Sequence, residues 1–220
     1  MGAFIVFEGP EGSGKSSQAR TLASNLGADG YPTVLTREPG GTRLGDALRQ
    51  LLLPATPAPI SARSEALLYC ASRAQLVEDV IQPALDGGQV VISDRFGYST
   101  LAYQGYGRGL ELKELRAVNE FAVGGLQPDL CVLLDIAPEV GLGRKRSLLQ
   151  AGNDGEWNRF EEEKLEFHQR VRNGYLEIAA SEPERWLVLD ASLPFAALQD
   201  RIMREVSTLL ERKQLLRRLA

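Results

Sequence analysis

Two cysteines and one histidine are all that this 220-residue chain holds of the residues most used as thiol nucleophiles or transition-metal ligands. Cys70 and Cys131 both lie in apolar surroundings, which predicts buried free thiols rather than a disulfide or a metal pair. His168 stands alone on a charged stretch with helical spacing, and it reads as a surface or packing residue. No Ser/His/Asp or Cys/His arrangement can be assembled around it. No apolar run reaches the ~18 residues that a bilayer-spanning helix needs. The N-terminus lacks a basic region followed by a long apolar segment and a cleavage site. The expectation is a cytoplasmic protein with no membrane partner. The formal net charge is -4, which argues against nucleic acid binding through a basic surface. A nucleotide site needs only local arginines. Internal repeats and low-complexity tracts are also missing. With 44% hydrophobic residues, the chain has enough apolar material for one sizeable domain with an ordinary core.

What is present is concentrated first at Gly9-Pro10-Glu11-Gly12-Ser13-Gly14-Lys15-Ser16. The spacing G-x-x-x-x-G-K-S follows a strand-like run, 3–8, and precedes an amphipathic helical pattern through Ala19, Leu22, Ala23 and Leu26. Glycines let the backbone approach phosphate oxygens, and successive N–H groups then form an anion-binding concavity. The helix start, with Ser17 in its first turn, adds its positive end. Lys15 is placed for β- and γ-phosphates, and the Ser16 hydroxyl for Mg²⁺.

Further strands are expected at 33–36, 89–94, 129–135 and 186–190. The continuous apolar runs Val90–Ile92 and Cys131–Leu134 suit a parallel sheet covered on both faces. Helical patterns fall between the strands, clearest over 61–85 and 157–180, with a last helix from about Pro194. The prediction is a P-loop NTPase-type α/β three-layer sandwich with a five-stranded parallel sheet. One domain, 1–220, is expected, with a mobile lid at about 144–158. Three segments read as loops: the proline-rich 53–59, the glycine-rich 105–109 and 152–155.

In such sheets ligands bind beyond the carboxyl ends of the strands. Polar residues crowd there: Thr36 to Thr42, Asp94 and Arg95, and Asp190 to Ser192. Asp94 can meet Mg²⁺ directly or through water, and Arg95 can fork onto a second phosphate. Tyr69 and Arg73, four apart, share a helix face; one could stack on a base and the other bond its edge. Spacing alone favours packing for that pair. Arg144, Lys145 and Arg146 are either a solvated helix end or a cationic cluster that swings over phosphates.

Taken together, FEGPEGSGKS at 7–16, TREPGGT at 36–42, DRF at 94–96, STLAYQG at 99–105, RFE at 159–161 and FHQRVRNGYLEIA at 167–179 resemble the bacterial thymidylate kinase family. The resemblance runs through nearly the whole chain. It implies phosphoryl transfer from ATP to dTMP, Mg²⁺ and a homodimer. It implies that Glu11 lies near the sugar 3′-hydroxyl, that Glu38 and Arg49 line the monophosphate and sugar pocket, and that Tyr69 stacks on thymine. It assigns the base edge to Arg73 and Gln104, with Thr100 beside them. Arg95 falls on the acceptor phosphate, Tyr103 near C2′, and Asp190-Ala191-Ser192 beside the adenine. Some relatives carry an arginine inside the phosphate loop. Gly12-Ser13 stand there here, which shifts the catalytic expectation to Arg144 and Arg146 in the lid, alongside Lys15 and Arg95. Two other readings stay open: a different nucleoside or nucleotide kinase of the same fold, and a nucleotide-gated regulatory ATPase. The guanine-reading motif N-K-x-D is absent, which disfavours a GTPase.

Overall fold

A computed structural model describes residues 2–54, 59–152 and 158–215. Its centre is a five-stranded, all-parallel sheet built from β1 (Ala3–Glu8), β2 (Thr33–Arg37), β3 (Val90–Asp94), β4 (Leu130–Asp135) and β5 (Trp186–Asp190), in the order β2-β3-β1-β4-β5. The helices α1 (Lys15–Ala28), α2 (Arg43–Leu52), α3 (Ala62–Leu76), α4 (Gln82–Asp86), α5 (Gly97–Thr100), α6 (Leu112–Val123), α7 (Pro138–Gln150), α8 (Leu165–Ser181) and α9 (Phe195–Arg212) make up the connections. Alternation along each strand separates two cores. Phe4, Val6, Val91, Cys131 and Leu133 face the side covered by α3 and α8. Ala3, Ile5, Phe7, Val90, Ile92, Val132 and Leu134 face α1 and α9. A sheet greasy on both faces must be buried on both, and the three-layer sandwich follows. Both cysteines are buried and free. Among the described residues no helix is long and apolar enough to cross a membrane.

The register lines up the functional strand ends. Phe7 and Arg37 each pair with Asp94, Glu8 pairs with Leu133, and Asp135 pairs with Asp190. One edge of the sheet therefore carries Glu8, Arg37, Asp94 and Asp190. Local signals set the helices that begin there: Thr42 caps α2 by accepting from Gly45 N at 3.0 Å, and Ser61 caps α3 through Ser64 N at 3.2 Å.

Three sequence expectations change. The long helical pattern over 61–85 is one rod interrupted by a π-helical turn at Val77–Ile81. Of the glycine-rich 105–109 segment expected as a loop, residues 105–107 are helical and only 108–109 lie outside the helix. Residues Leu101–Gly107 continue α5 as a π-helix. A Cβ on Gly107 would lie 2.6 Å from the Phe167 ring, so this glycine serves close packing against α8. The helix expected from 157 begins at Leu165. Before it, Asn158 Oδ1 accepts from Phe160 N at 3.0 Å and Glu161 accepts from Asn158 N at 2.6 Å, a local turn that competes with the helix. Most of the proline-rich and 152–155 loops, and residues 153–157 of the expected lid, lie outside the described residues.

Candidate active site

At the carboxyl edge of the sheet a cavity of about 690 Å³ opens between the phosphate loop, α3, the π-helix and α7. Six cationic side chains line it, Lys15, Arg20, Arg37, Arg49, Arg95 and Lys145, against the acids Glu11, Glu38 and Asp94. A chain of net charge -4 thus keeps a locally positive cleft, which attracts polyanions.

The phosphate loop joins β1 to α1 with Gly14, in the left-handed region at φ 92°, as the α1 cap. Lys15 Nζ donates to Pro10 O at 2.7 Å and to Ser13 Oγ at 3.1 Å, arching back over the loop. Burial, reinforced by Arg95, depresses its ammonium to about 8. The Ser16 hydroxyl bonds to the Asp94 carboxylate. Two hard oxygen donors therefore meet at the start of α1. The loop also touches α7 without intervening side chains: a Cβ on Gly12, at φ +70°, would lie 1.9 Å from Gly141 O.

Arg95 takes the positive φ of 75° that a non-glycine residue adopts only under constraint. The constraint is a dense network. Its Nη1 donates to Gly9 O (3.3 Å), Ser99 Oγ (3.2 Å) and the Tyr175 hydroxyl (3.1 Å). Its Nη2 meets Glu11 Oε1 (2.8 Å) and the Tyr103 hydroxyl (3.1 Å), and its guanidinium lies 4.9 Å from the Tyr103 ring centroid. Underneath sits Glu8, fully buried, accepting from Phe96 N, Ser99 N, Ser99 Oγ and Tyr175 Oη. Burial raises the Glu8 carboxyl, against those donors and Arg95. Burial also pushes Glu11 upward, but Arg95, Lys15 and Lys145 outweigh it and bring its carboxyl down to about 2.

The pyrimidine-side residues divide. Tyr69, Thr100, Tyr103 and Gln104 line the cavity together with Arg49 and Glu38. Arg73 does not. It is 1% exposed and spends its donors internally, on Glu38 (2.5–3.1 Å), Phe96 O (3.3 Å), Thr100 Oγ1 (3.1 Å) and Asn119 Oδ1 (2.6 Å). It lies beneath the cavity and holds Glu38, whose carboxyl burial still lifts to about 7.

The lid cations divide as well. Arg144 is drawn to Ala191 O at 2.6 Å, so it touches the Asp190–Ser192 segment rather than the cavity. Neither Arg146 nor Asp190–Ser192 lines the cavity. Lys145, named in the sequence only as a member of the basic cluster and not singled out with Arg144 and Arg146, does, and it pairs with buried Glu161. Phe160, Asn158, Arg20 and Arg37 were also missed. The RFE and TREPGGT motifs contained the signal for Phe160 and Arg37. His168 is buried against Phe167 as a packing residue.

Comparison with known proteins agrees with this geometry. The thymidylate kinase family model matches residues 7–202. A thymidylate kinase of Roseiflexus castenholzii is 50% identical over 209 residues, covering 92% of this chain and 91% of that protein. One from a Synechococcus strain is 53% identical over 188 residues, covering 86% and 87%. The crystal structure of thymidylate kinase from Ehrlichia chaffeensis superposes with a TM-score of 0.73 at 31% identity, covering 93% of this chain and 98% of that one. A positive cleft around a phosphate loop, matched along nearly its whole length to these proteins, makes this chain a phosphotransferase belonging to the thymidylate kinase family.

Proposed function

We propose that the chain transfers the terminal phosphoryl group of ATP to dTMP, giving ADP and dTDP for dTTP synthesis. One observation carries the reading: Arg95 links the phosphate loop, at Gly9 and Glu11, to Tyr103 on the π-helix that walls the same cavity. A second anion held there faces the first across a short gap. A regulatory ATPase has no use for that second pocket.

Phosphoryl transfer is mostly positioning and charge stabilisation. The Lys15 ammonium and the phosphate-loop N–H groups, with Gly9 to Ser17 around them, hold the donor phosphates. Arg95 orients the acceptor phosphate, and Lys145, beside Arg144 and Arg146, brings further positive charge as the segment at about 144–158 approaches. Glu11 accepts from the sugar hydroxyl, and Tyr103 fills the space a 2′-hydroxyl would need. Tyr69, with Phe160 at 6.5 Å between centroids, offers the base an aromatic wall. Asp190 to Ser192 border the adenine. Ser16 and Asp94 would hold Mg²⁺, which would supply positive charge against the donor phosphates. Their hydroxyl and carboxylate oxygens suit that hard cation. Among the described residues no group of three or more His, Cys, Asp and Glu is placed to hold a metal ion.

The chain works as one domain and as a homodimer in the cytoplasm. Exposed Leu44 and Leu51 on α2, Leu67 on α3 and Phe121 on α6 supply apolar side chains on neighbouring helices for the dimer face. The decisive experiment is coupled ADP release with ATP and, in turn, dTMP, dUMP, UMP, CMP and thymidine. The expected result is turnover led by dTMP. Tight ATP binding with no phosphorylated product from any acceptor overturns the proposal.

A further inference from the structure

Glu65, on the first turn of α3, is 1% exposed, and no step above employs it. Its Oε1 accepts from Gln104 Nε2 at 2.6 Å and from Arg108 Nε at 3.4 Å. Its Oε2 lies 2.7 Å from Arg159 Nη2, an ion pair without hydrogen-bond alignment, and accepts from Arg108 Nη2 at 3.4 Å. A carboxylate between two guanidinium groups offers only lone pairs. The Gln104 amide must therefore turn its nitrogen to Glu65. Its oxygen is left for the cavity that Gln104 lines, and among the described residues that oxygen accepts no hydrogen bond. Thr100, four residues earlier at the end of α5, is engaged as an acceptor by Arg73 Nη1 at 3.1 Å, and its hydroxyl hydrogen has no acceptor among the described residues. The cavity wall thus presents an acceptor beside a donor.

Thymine and uracil carry the complementary pair, an N–H at ring position 3 next to a carbonyl. Cytosine carries the reverse, a bare nitrogen next to an amine. We propose that Glu65 is a positioning residue for pyrimidine choice: by fixing the Gln104 amide nitrogen it turns the amide oxygen toward the ring, so that the pocket takes rings with N–H at position 3 and rejects cytosine. The inference rests on the assignment of Gln104 to the base edge made above. The same carboxylate holds Arg159, so the segment at 158–163 is anchored to the base-reading amide.

The test is kcat/KM for dTMP and for dCMP in Glu65→Gln. That variant keeps the shape of the side chain but lets either end of the Gln104 amide face the ring. The dTMP/dCMP ratio is expected to fall by about tenfold or more, as for a site that loses a polar match, while KM for ATP stays within about twofold. The exchange Glu65→Gln/Gln104→Glu restores a nitrogen-to-carboxylate pair with an acceptor facing the ring, and should recover the thymidylate preference. A folded Glu65→Gln protein with an unchanged ratio, or an exchange variant no more selective than the single one, overturns the proposal. Should Glu65→Gln fail to fold, the unaltered protein decides through a dTMP analogue with C–H in place of N3–H. Binding about tenfold weaker than dTMP supports the proposal, and equal binding overturns it. Turnover of dTMP by the unaltered protein, measured alongside, reports separately on the underlying activity.

Discussion

ATP binding should draw protons from solution, and Lys15 is the reason. Burial is the main cause that brings its ammonium from the ordinary 10.5 to about 8 before ATP binds. That difference corresponds to about 3 kcal/mol by which the enclosed site disfavours the charge. Between pH 8 and 10.5 the unfolded chain holds more protons at this residue than the folded one, so the Lys15 contribution to stability rises with pH across that window. A triphosphate beside Nζ reverses the balance, because its charge favours the ammonium more strongly than burial opposes it. At pH 8 roughly half the empty molecules have neutral Lys15, so binding should take up ~0.5 proton per ATP, rising to ~0.9 at pH 9. Calorimetric titration of ATP, without acceptor, in buffers of differing ionisation enthalpy reads this number as a slope. Lys15→Met should flatten the slope at both pH values. A flat slope in the unaltered protein would refute the reasoning, because it would mean that Lys15 is already charged before ATP arrives, or never meets it.

Three other perturbations follow from the same contacts. Tyr175→Phe removes the hydroxyl that donates to Glu8 Oε2 at 2.8 Å; a loss of about 2 kcal/mol, or roughly 4–8 °C in the midpoint of thermal unfolding, is expected, and an unchanged melting curve would contradict the network. Gly12→Ala puts a Cβ 1.9 Å from Gly141 O at a positive φ, and ATP affinity should drop by at least ~100-fold in a displacement assay, given how strained that backbone becomes. Arg95→Lys loses the fork that spans Gly9 and Glu11. Acceptor kcat/KM should fall by ~100-fold with ATP binding nearly intact, and an equal loss on both substrates would assign Arg95 to the donor instead.

The five strands and the phosphate loop were legible because their signals are local. Val90–Ile92 and Cys131–Leu134 are apolar on both faces, and only a doubly covered strand needs that. Arg73 shows the limit. Its spacing from Tyr69 reveals a shared face, but its burial depends on Glu38, 35 residues away, and Asn119, 46 away. Lys145 was hidden for a similar reason. Three successive basic residues point in three directions on a helix, and only the docking of α7 on the phosphate loop selects the one that enters the cavity. The π-helix escaped because apolar residues at 101–103 fit a loop, an α-turn or a wider turn equally well. The start of α8 was misplaced because Asn158 forms its own turn with Phe160 and Glu161, a competition that apolar periodicity does not register.

The side-chain-free junction of Gly12 and Gly141 makes α7 a lever with its fulcrum beside the phosphates. Backbone meets backbone there from both sides, since a Cβ on Gly12 would lie 1.9 Å from Gly141 O and one on Gly141 2.2 Å from Glu11 O. At 1.5 Å per residue, a swing of about 20° would carry the backbone at Lys145 only ~2 Å, but the far end at Gln150 ~5 Å. The cation nearest the reacting groups stays almost in place while the distal end sweeps, so opening the cleft to solvent need not dismantle the charge at its heart.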